Sequence, residues 1–388
     1  MSTPKIASSE VVRDINRRIV LNLIRKRQPI SRADLARMSG MQRSTISLIV
    51  EELVDEHWVI EGPTGRLPRG RRPTFLRLND DRLIIGVDIR PIQMTVALAD
   101  VNGRLSSQKL IATPPDPKLA LKLVIQEIKA MMASSGGKKI EGVGISVPGR
   151  VDYSSGRLVF APNLKWRDVD IAKPIVDATG LEVEMDNAAN ACVLAAAWFD
   201  RLQSHTNIVV VTISEGIGTG IWVNGQLVRG LRGMAGEFGH VPLDPSGPPC
   251  SCGSRGCWEV FASNRAGLRY YHESSSNTDG LTFLDLLNLA DQGDSMAGQA
   301  LDKMAHSLGR GMRMIVAGLA PEQIMVIGDL TQSWNRFGPV IEAEVQEQAL
   351  TGGATPLVVP VHEYGMARLR GAFALVLQKH FSTVGEAA

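Results

Sequence analysis

Between Val12 and Lys26 the apolar residues Ile15, Ile19, Val20, Leu23 and Ile24 recur at helical spacing, with arginines on the other face. This period predicts an amphipathic helix. Pro29 interrupts it, because proline has no N–H to give and its ring blocks helix continuation. Ser31 then caps a second predicted helix, SRADLARMSG, which Gly40 ends. A third helical stretch opens near Thr45 and buries Ile46, Ile49, Val50 and Leu53. Two helices joined by a short Gly-containing turn make a helix-turn-helix pattern. After Trp58, VIEGPTGRLPRGRRPTFLRLN reads as two short strands around a hairpin of Gly, Pro and Arg.

Beyond Leu83 the period changes. LIIGVDI and MTVALADV predict two strands, with a turn at Asn102-Gly103. A helical stretch near Lys118 to Met132 precedes a third buried strand, GVGISVPG. EVEMD, a helix from Asn190 to Phe199, NIVVVTISEG and GIWVNG repeat the alternation. The expectation is an α/β body with two similar lobes, although periodicity alone does not choose among α/β folds.

Composition narrows the class. The chain has 388 residues, of which 44% are hydrophobic and 21% charged, as expected of two or three soluble globular domains. The N-terminal MSTPKIASSE has no apolar signal core, and no apolar run approaches a membrane span. Four cysteines do not make a disulfide framework in a chain this long. We therefore expect a reducing, cytoplasmic compartment and no membrane partner.

The net charge of +2 hides an asymmetry. Residues 1–79 carry 15 basic and 8 acidic side chains, and the remainder carries 27 and 32. A basic head on a mildly acidic body implies an anionic partner for the head. Gln42, Arg43, Ser44, Thr45 and Ser47 open the third helix, and such side chains suit base edges and phosphates in a major groove. Arg66, Arg69, Arg71 and Arg72 crowd the tip of the hairpin. A winged helix-turn-helix would set that tip against the DNA backbone or in the minor groove. The charge run coincides with a helix-turn-helix pattern, which favours DNA over a merely solvated linker.

Three of the four cysteines lie in GEFGHVPLDPSGPPCSCGSRGCWE, from Gly236 to Glu259. His240, Cys250, Cys252 and Cys257 are four donors within eighteen residues, the number and type that a tetrahedral structural zinc requires. Such a site would fold an otherwise loose Gly/Pro-rich loop. Glu237 and Glu259 flank it, which is one way to build a polar small-molecule site. Cys192, on an apolar helix, is expected in the core.

GISVPGRVD, APNLKW, SEGIGTGIWVNG and GEFGH…CSCGSRGCWE together resemble the ROK family, which joins sugar-responsive repressors and sugar kinases. The resemblance runs from about Leu83 to the C-terminal helix. It implies an actin-like, hexokinase-like (ribonuclease H-like) body behind the winged head, and the repressor branch. It implies a first lobe of 80–187 plus about 363–388, and a second of 188–362. The matching His240, Cys250, Cys252 and Cys257 would bind zinc. Gly149, Asn187, Glu237, His240 and Glu259 would bind sugar, with Pro148 and Asn163 shaping the wall. An imidazole with metal on one nitrogen keeps the other for a sugar hydroxyl.

Kinases of that family carry an Asp after an Asn in Glu-Asn-Asp-Ala-Asn-Ala. This chain reads Asp186-Asn187-Ala188-Ala189-Asn190-Ala191, so the base position is Ala188 and Asp186 should point elsewhere. Their phosphate loop, Asp-x-Gly-Gly-Thr, is Asp88-Ile89-Arg90-Pro91-Ile92 here. Proline removes a donor, and side chains obstruct the approach of phosphate. The second loop, Gly216 to Gly220, keeps its glycines, whereas an adenosine-side Gly-Gly pair has become Gly328-Asp329. The expectation is a sugar-responsive repressor without kinase activity, binding operator DNA as a dimer or dimer of dimers. A sugar kinase with an added head, or a regulator controlled by a protein partner, are the alternatives.

Overall fold

In the computed structural model, the stripe of Val20, Leu21 and Ile24 buries one face of helix α1 (Ser9–Arg27). The structure describes residues 9–64, 74–199, 206–275, 280–347, 355–361 and 364–381. A short strand β1 (Ile30–Ser31) leads into α2 (Arg32–Ser39). Ser31 accepts from the Asp34 N–H, and Gly40 ends the helix at φ 73°. Helix α3 (Arg43–Asp55) follows after a three-residue turn. Strands β2 (Val59–Thr64) and β3 (Thr74–Leu78) pair antiparallel, and β1 adds to β3. This is the anticipated winged helix-turn-helix. The hairpin tip with Arg66, Arg69, Arg71 and Arg72 lies outside the described residues.

The body begins with β4 (Leu83–Ile89), β5 (Gln93–Asp100) and β6 (Leu105–Ala112). Helix α4 (Pro117–Ser134) and β7 (Ile140–Val147) come next. Strands β8 (Arg150–Asp152), β9 (Arg157–Ala161) and β10 (Trp166–Asp170) form a small separate sheet. Helix α5 (Ala172–Thr179), β11 (Val183–Asn187) and α6 (Ala188–Phe199) complete the first half. Its main sheet has the order β11-β7-β4-β5-β6.

The second half opens with β12 (Ile208–Ile213), β13 (Ile217–Val223) and β14 (Gln226–Leu227). A loop then runs to α7 (Glu259–Ala262) and helices α8 (Asn264–Ser274), α9 (Phe283–Asp291) and α10 (Ser295–Leu319). Strand β15 (Gln323–Gly328), α11 (Trp334–Gln346) and β16 (Leu357–Pro360) precede the C-terminal helix α12 (Tyr364–Phe381). The second sheet, β14-β13-β12-β15-β16, is again five-stranded and mixed. The two similar lobes are therefore present.

Strand β6 departs from the sequence pattern, which gave a turn at Asn102-Gly103 and no strand between it and the following helix. Seven of its eight residues are exposed and none is buried. An edge strand bare on both faces has no apolar alternation to betray it.

Head and body share one core. Val20, Leu21, Ile24 and Trp58 of the head pack with Ile84, Ala97 and Val101 of the first sheet and with Phe373, Leu377 and Phe381 of α12. The Arg25 and Arg82 guanidiniums stack on Trp198 and Trp58, 4.1 and 4.0 Å from the ring centroids. Arg82 also pairs with buried Glu141. Helix α12 thus joins the head to the sheet that walls the site described next. Among the described residues no helix is long and apolar enough to cross a membrane.

Candidate functional site

A cavity of about 730 Å³ opens between the two sheets. Pro148, Gly149, Arg150, Phe160, Asn163 and Asn187 line it from the first half. Thr212 to Ser214, Gly216 to Thr219, Gly236, Glu237, His240, Cys252 and Glu259 line it from the second. All five residues expected to touch sugar, and both wall residues, are brought to this one cleft although they span 112 positions of the chain.

Local folding explains several placements. Gly149 sits at φ 92°, and a Cβ would collide with the Phe160 carbonyl. Gly236 sits at φ 87°, packed against the Thr219 carbonyl, and its own carbonyl accepts from the Thr219 hydroxyl. Both positions combine left-handed backbone with close approach, which only glycine tolerates. Gly236 starts the single turn Glu237–His240 that presents both side chains. Asn187 ends β11, and its Oδ1 accepts from the Asn190 N–H, capping α6.

His240, Cys250, Cys252 and Cys257 converge, with their donor atoms all within 4.8 Å of one another. His240 Nδ1 lies 3.6 Å from Cys250 Sγ, and Cys252 Sγ lies 3.7 Å from Cys257 Sγ. Four donors about 2.3 Å from a shared tetrahedral centre are separated by about 3.7 Å, so the spacing fits a metal. Burial pushes the Cys250 and Cys257 thiols above their ordinary range. Cys192 lies apart in the core, and burial raises its thiol to about 12.

The two imidazole nitrogens of His240 face different ways. Nδ1 points to the thiols, whereas Nε2 lies 3.8 Å from Glu237 Oε2. Glu259 Oε1 is 3.7 Å from His240 Nδ1 and accepts from Cys250 Sγ at 3.0 Å. Burial holds the Glu237 carboxyl above the usual carboxylate range, against the pull of His240 and Arg150. The site can therefore offer two carboxylates to accept from hydroxyl groups and, with Nδ1 turned to the thiols, an imidazole N–H to donate to a hydroxyl oxygen.

Asp186 does not line this cavity. Its Oδ2 receives Arg229 Nε at 2.8 Å, and its Oδ1 receives Asn190 Nδ2 and the Asn187 N–H. Ala188, with only a methyl group, lines the cleft instead. At the far end stand Arg90 and Arg368, both directed at buried Asp88, with contacts of 2.6 and 2.9 Å. Sequence reasoning singled out Asp88 and Arg90 but missed Arg368, because nothing local marks a helix residue 278 positions further on. It also missed Arg229, for the same reason.

In the head, Gln42, Arg43 and Ser44 are exposed, and Thr45 and Ser47 are half-buried. They start α3, whose opposite face, Ile46, Ile49, Val50 and Leu53, is buried.

Comparison with known proteins draws on both halves. The ROK family model matches residues 84–379, about three quarters of the chain. The chain belongs to the ROK family. A winged helix-turn-helix DNA-binding model matches residues 13–60 in front of that ROK body. The xylose repressor of Bacillus subtilis (strain 168) is 34% identical over 334 residues, 84% of this chain and 85% of that protein. The crystal structure of a ROK family transcriptional regulator, a homologue of the E. coli MLC protein, covers 96% of this chain and 98% of its own, with 25% identity and a TM-score of 0.82. A ROK family glucokinase from Streptomyces griseus, solved with glucose and AMPPNP, covers only 76% of this chain, at 31% identity and a TM-score of 0.68. The chain is thus similar to ROK regulators from end to end, and to ROK kinases over a smaller share of its length.

Proposed function

We propose that this chain is a sugar-responsive transcriptional repressor, acting in the cytoplasm, that binds operator DNA through its winged head and a sugar or sugar derivative between its lobes. The observation that supports the reading is that Glu237, His240 and Glu259, side chains suited to sugar hydroxyls, line the same cleft as Ala188, whose methyl group cannot take a proton. Phosphoryl transfer to a hydroxyl needs a carboxylate to accept its proton, and losing one forfeits on the order of 10²–10⁴ in rate. Arg90 and its neighbour Pro91 stand where family kinases keep glycines for the nucleotide phosphates. The repressors among its relatives support the regulatory half of the reading.

The division follows the same logic. Residues 1–79 form the head, 80–187 with 363–388 the first lobe, and 188–362 the second. Zinc suits the donors His240, Cys250, Cys252 and Cys257, and when bound supplies a fixed, polarised imidazole at the cleft. Gly149, Asn187, Glu237, His240 and Glu259 hold the sugar. Gln42, Arg43, Ser44, Thr45, Ser47 and the hairpin arginines Arg69, Arg71 and Arg72 meet DNA. A homodimer, or a dimer of dimers, sets two recognition helices on half-sites one helical turn apart or a multiple of it. Sugar shifts operator affinity only by binding two arrangements of the dimer unequally.

The test is a mobility-shift titration with a panel of neutral, N-acetylated and phosphorylated sugars, each first scored for binding by thermal shift. Operator affinity that moves with at least one bound sugar is the expected result. Operator affinity indifferent to every sugar that binds, or sugar-dependent ATP consumption, would refute the reading.

A further inference from the structure

Helix α3 carries an apolar side chain on the wrong side. Its buried face belongs to the core shared by head and body. The opposite stripe is Ser44, Leu48, Glu51 and Asp55, all exposed, at the spacing of successive turns on one helical face. Leu48 is 61% exposed and belongs to no hydrophobic cluster of the described residues. The C-terminal half of α3 is braced from the side, where Glu52 pairs with Arg13 and Glu56 with Arg17 of α1. In the N-terminal half Arg43, Ser44 and Leu48 are exposed.

A single exposed leucine is ordinary on a protein surface. Its setting gives this one meaning. It lies one turn after Ser44 on the helix that a winged helix-turn-helix lays in the major groove. The stretch from Ser44 to Glu51 rises roughly 10 Å along the helix. In the major groove the only apolar group on a base edge is the C5-methyl of thymine, and apolar side chains read it by contact. Ser44 and Ser47 can bond to several bases, so they discriminate weakly.

We propose that Leu48 is a specificity-determining residue that reads a thymine methyl in each half-site. The assignment rests on the DNA-binding reading above. Contact with that methyl removes apolar surface of both partners from water. The contact makes no phosphate bond, so it adds nothing to the salt dependence of binding.

Full-length protein is used to enrich duplexes from a random-sequence library. In the strongest binder every thymine is then replaced singly by uracil, which removes only the methyl. The expected result is one position per half-site where uracil weakens wild-type binding roughly fourfold, the factor that one buried methyl is worth. Leu48→Ala binds the thymine duplex more weakly, shows no further loss on uracil, and keeps the wild-type salt slope and thermal midpoint. Leu48→Met, still apolar, restores most of the thymine preference. Uracil tolerated at every position, or an equal uracil penalty in Leu48→Ala, overturns the assignment while the DNA-binding reading stands. A library from which no sequence is enriched overturns both.

Discussion

Asp186 Oδ2 lies 2.8 Å from Nε of Arg229, with the two side chains only 5% and 16% exposed. The pair ties the end of β11 to the loop that leads to Gly236 and Glu237. Arg229 also stacks over Tyr153, 4.1 Å from its ring centroid, and its Nη2 lies 3.4 Å from Gln378 Oε1 of α12. Asp186, two residues before Ala188 in the chain, is thus held in a bond between the halves of the body. Removing one partner of a buried ion pair strands the other charge. Arg229→Ala should lower unfolding free energy by about 3 kcal/mol in chemical denaturation, and weaken sugar binding by calorimetry. A change within error in both would show the pair to be idle.

A carboxylate introduced at Ala188 should not by itself give kinase activity. Ala188→Asp places a carboxylate in the cleft but leaves Arg90 and Arg368 at the far end. We expect no sugar-dependent ADP release from this variant in a coupled assay. Turnover above the parent protein would mean that the phosphate end is still open.

Cys250 and His240 are 3.6 Å apart across the donor cluster, and His240 turns its other nitrogen toward Glu237. Cys250→Ser should therefore lower the thermal midpoint, reduce metal content by elemental analysis, and abolish the sugar response together. Sugar affinity equal to wild type in that variant would separate the metal from the pocket.

Arg43 is exposed at the start of α3, far in the chain from every cleft residue. Arg43→Ala should weaken operator binding about tenfold, the scale of one lost base or phosphate contact, with sugar affinity unchanged. Equal losses in both assays would indicate misfolding.

His380 packs on Trp58 of the head, 4.7 Å between ring centroids. Burial, with Arg82 and Lys379 nearby, lowers its imidazole to about 4. The unfolded chain binds a proton near the ordinary 6.5, so the folded state loses stability as pH falls from about 6.5 toward 4, and has the full contribution above that window. The total loss across that window should be on the order of 3 kcal/mol, and His380→Gln should flatten the pH profile. An unaltered pH slope in the variant would assign the dependence elsewhere.

Much of the fold was legible because its signals are local. Ser31 and Gly40 bracket α2 as their cap chemistry predicts. The convergence of His240, Cys250, Cys252 and Cys257 was legible from spacing alone, since the four are near neighbours in the chain. Strand β6 was not, because both of its faces meet water. Arg229 and Arg368 were not, because each acts on a partner, Asp186 or Asp88, brought to it only by packing of distant segments.

The sequence by itself therefore determined the helix caps, the His/Cys cluster that could hold a metal, and the alanine that follows Asn187. Each of these depends on residue type and short spacing. Only the tertiary structure decided that His240 faces metal donors with one nitrogen and the cleft with the other, that Asp186 is spent on Arg229, and that head and body share a core along α12. Those relations depend on which apolar faces bury against one another, and burial is a property of the whole packed chain.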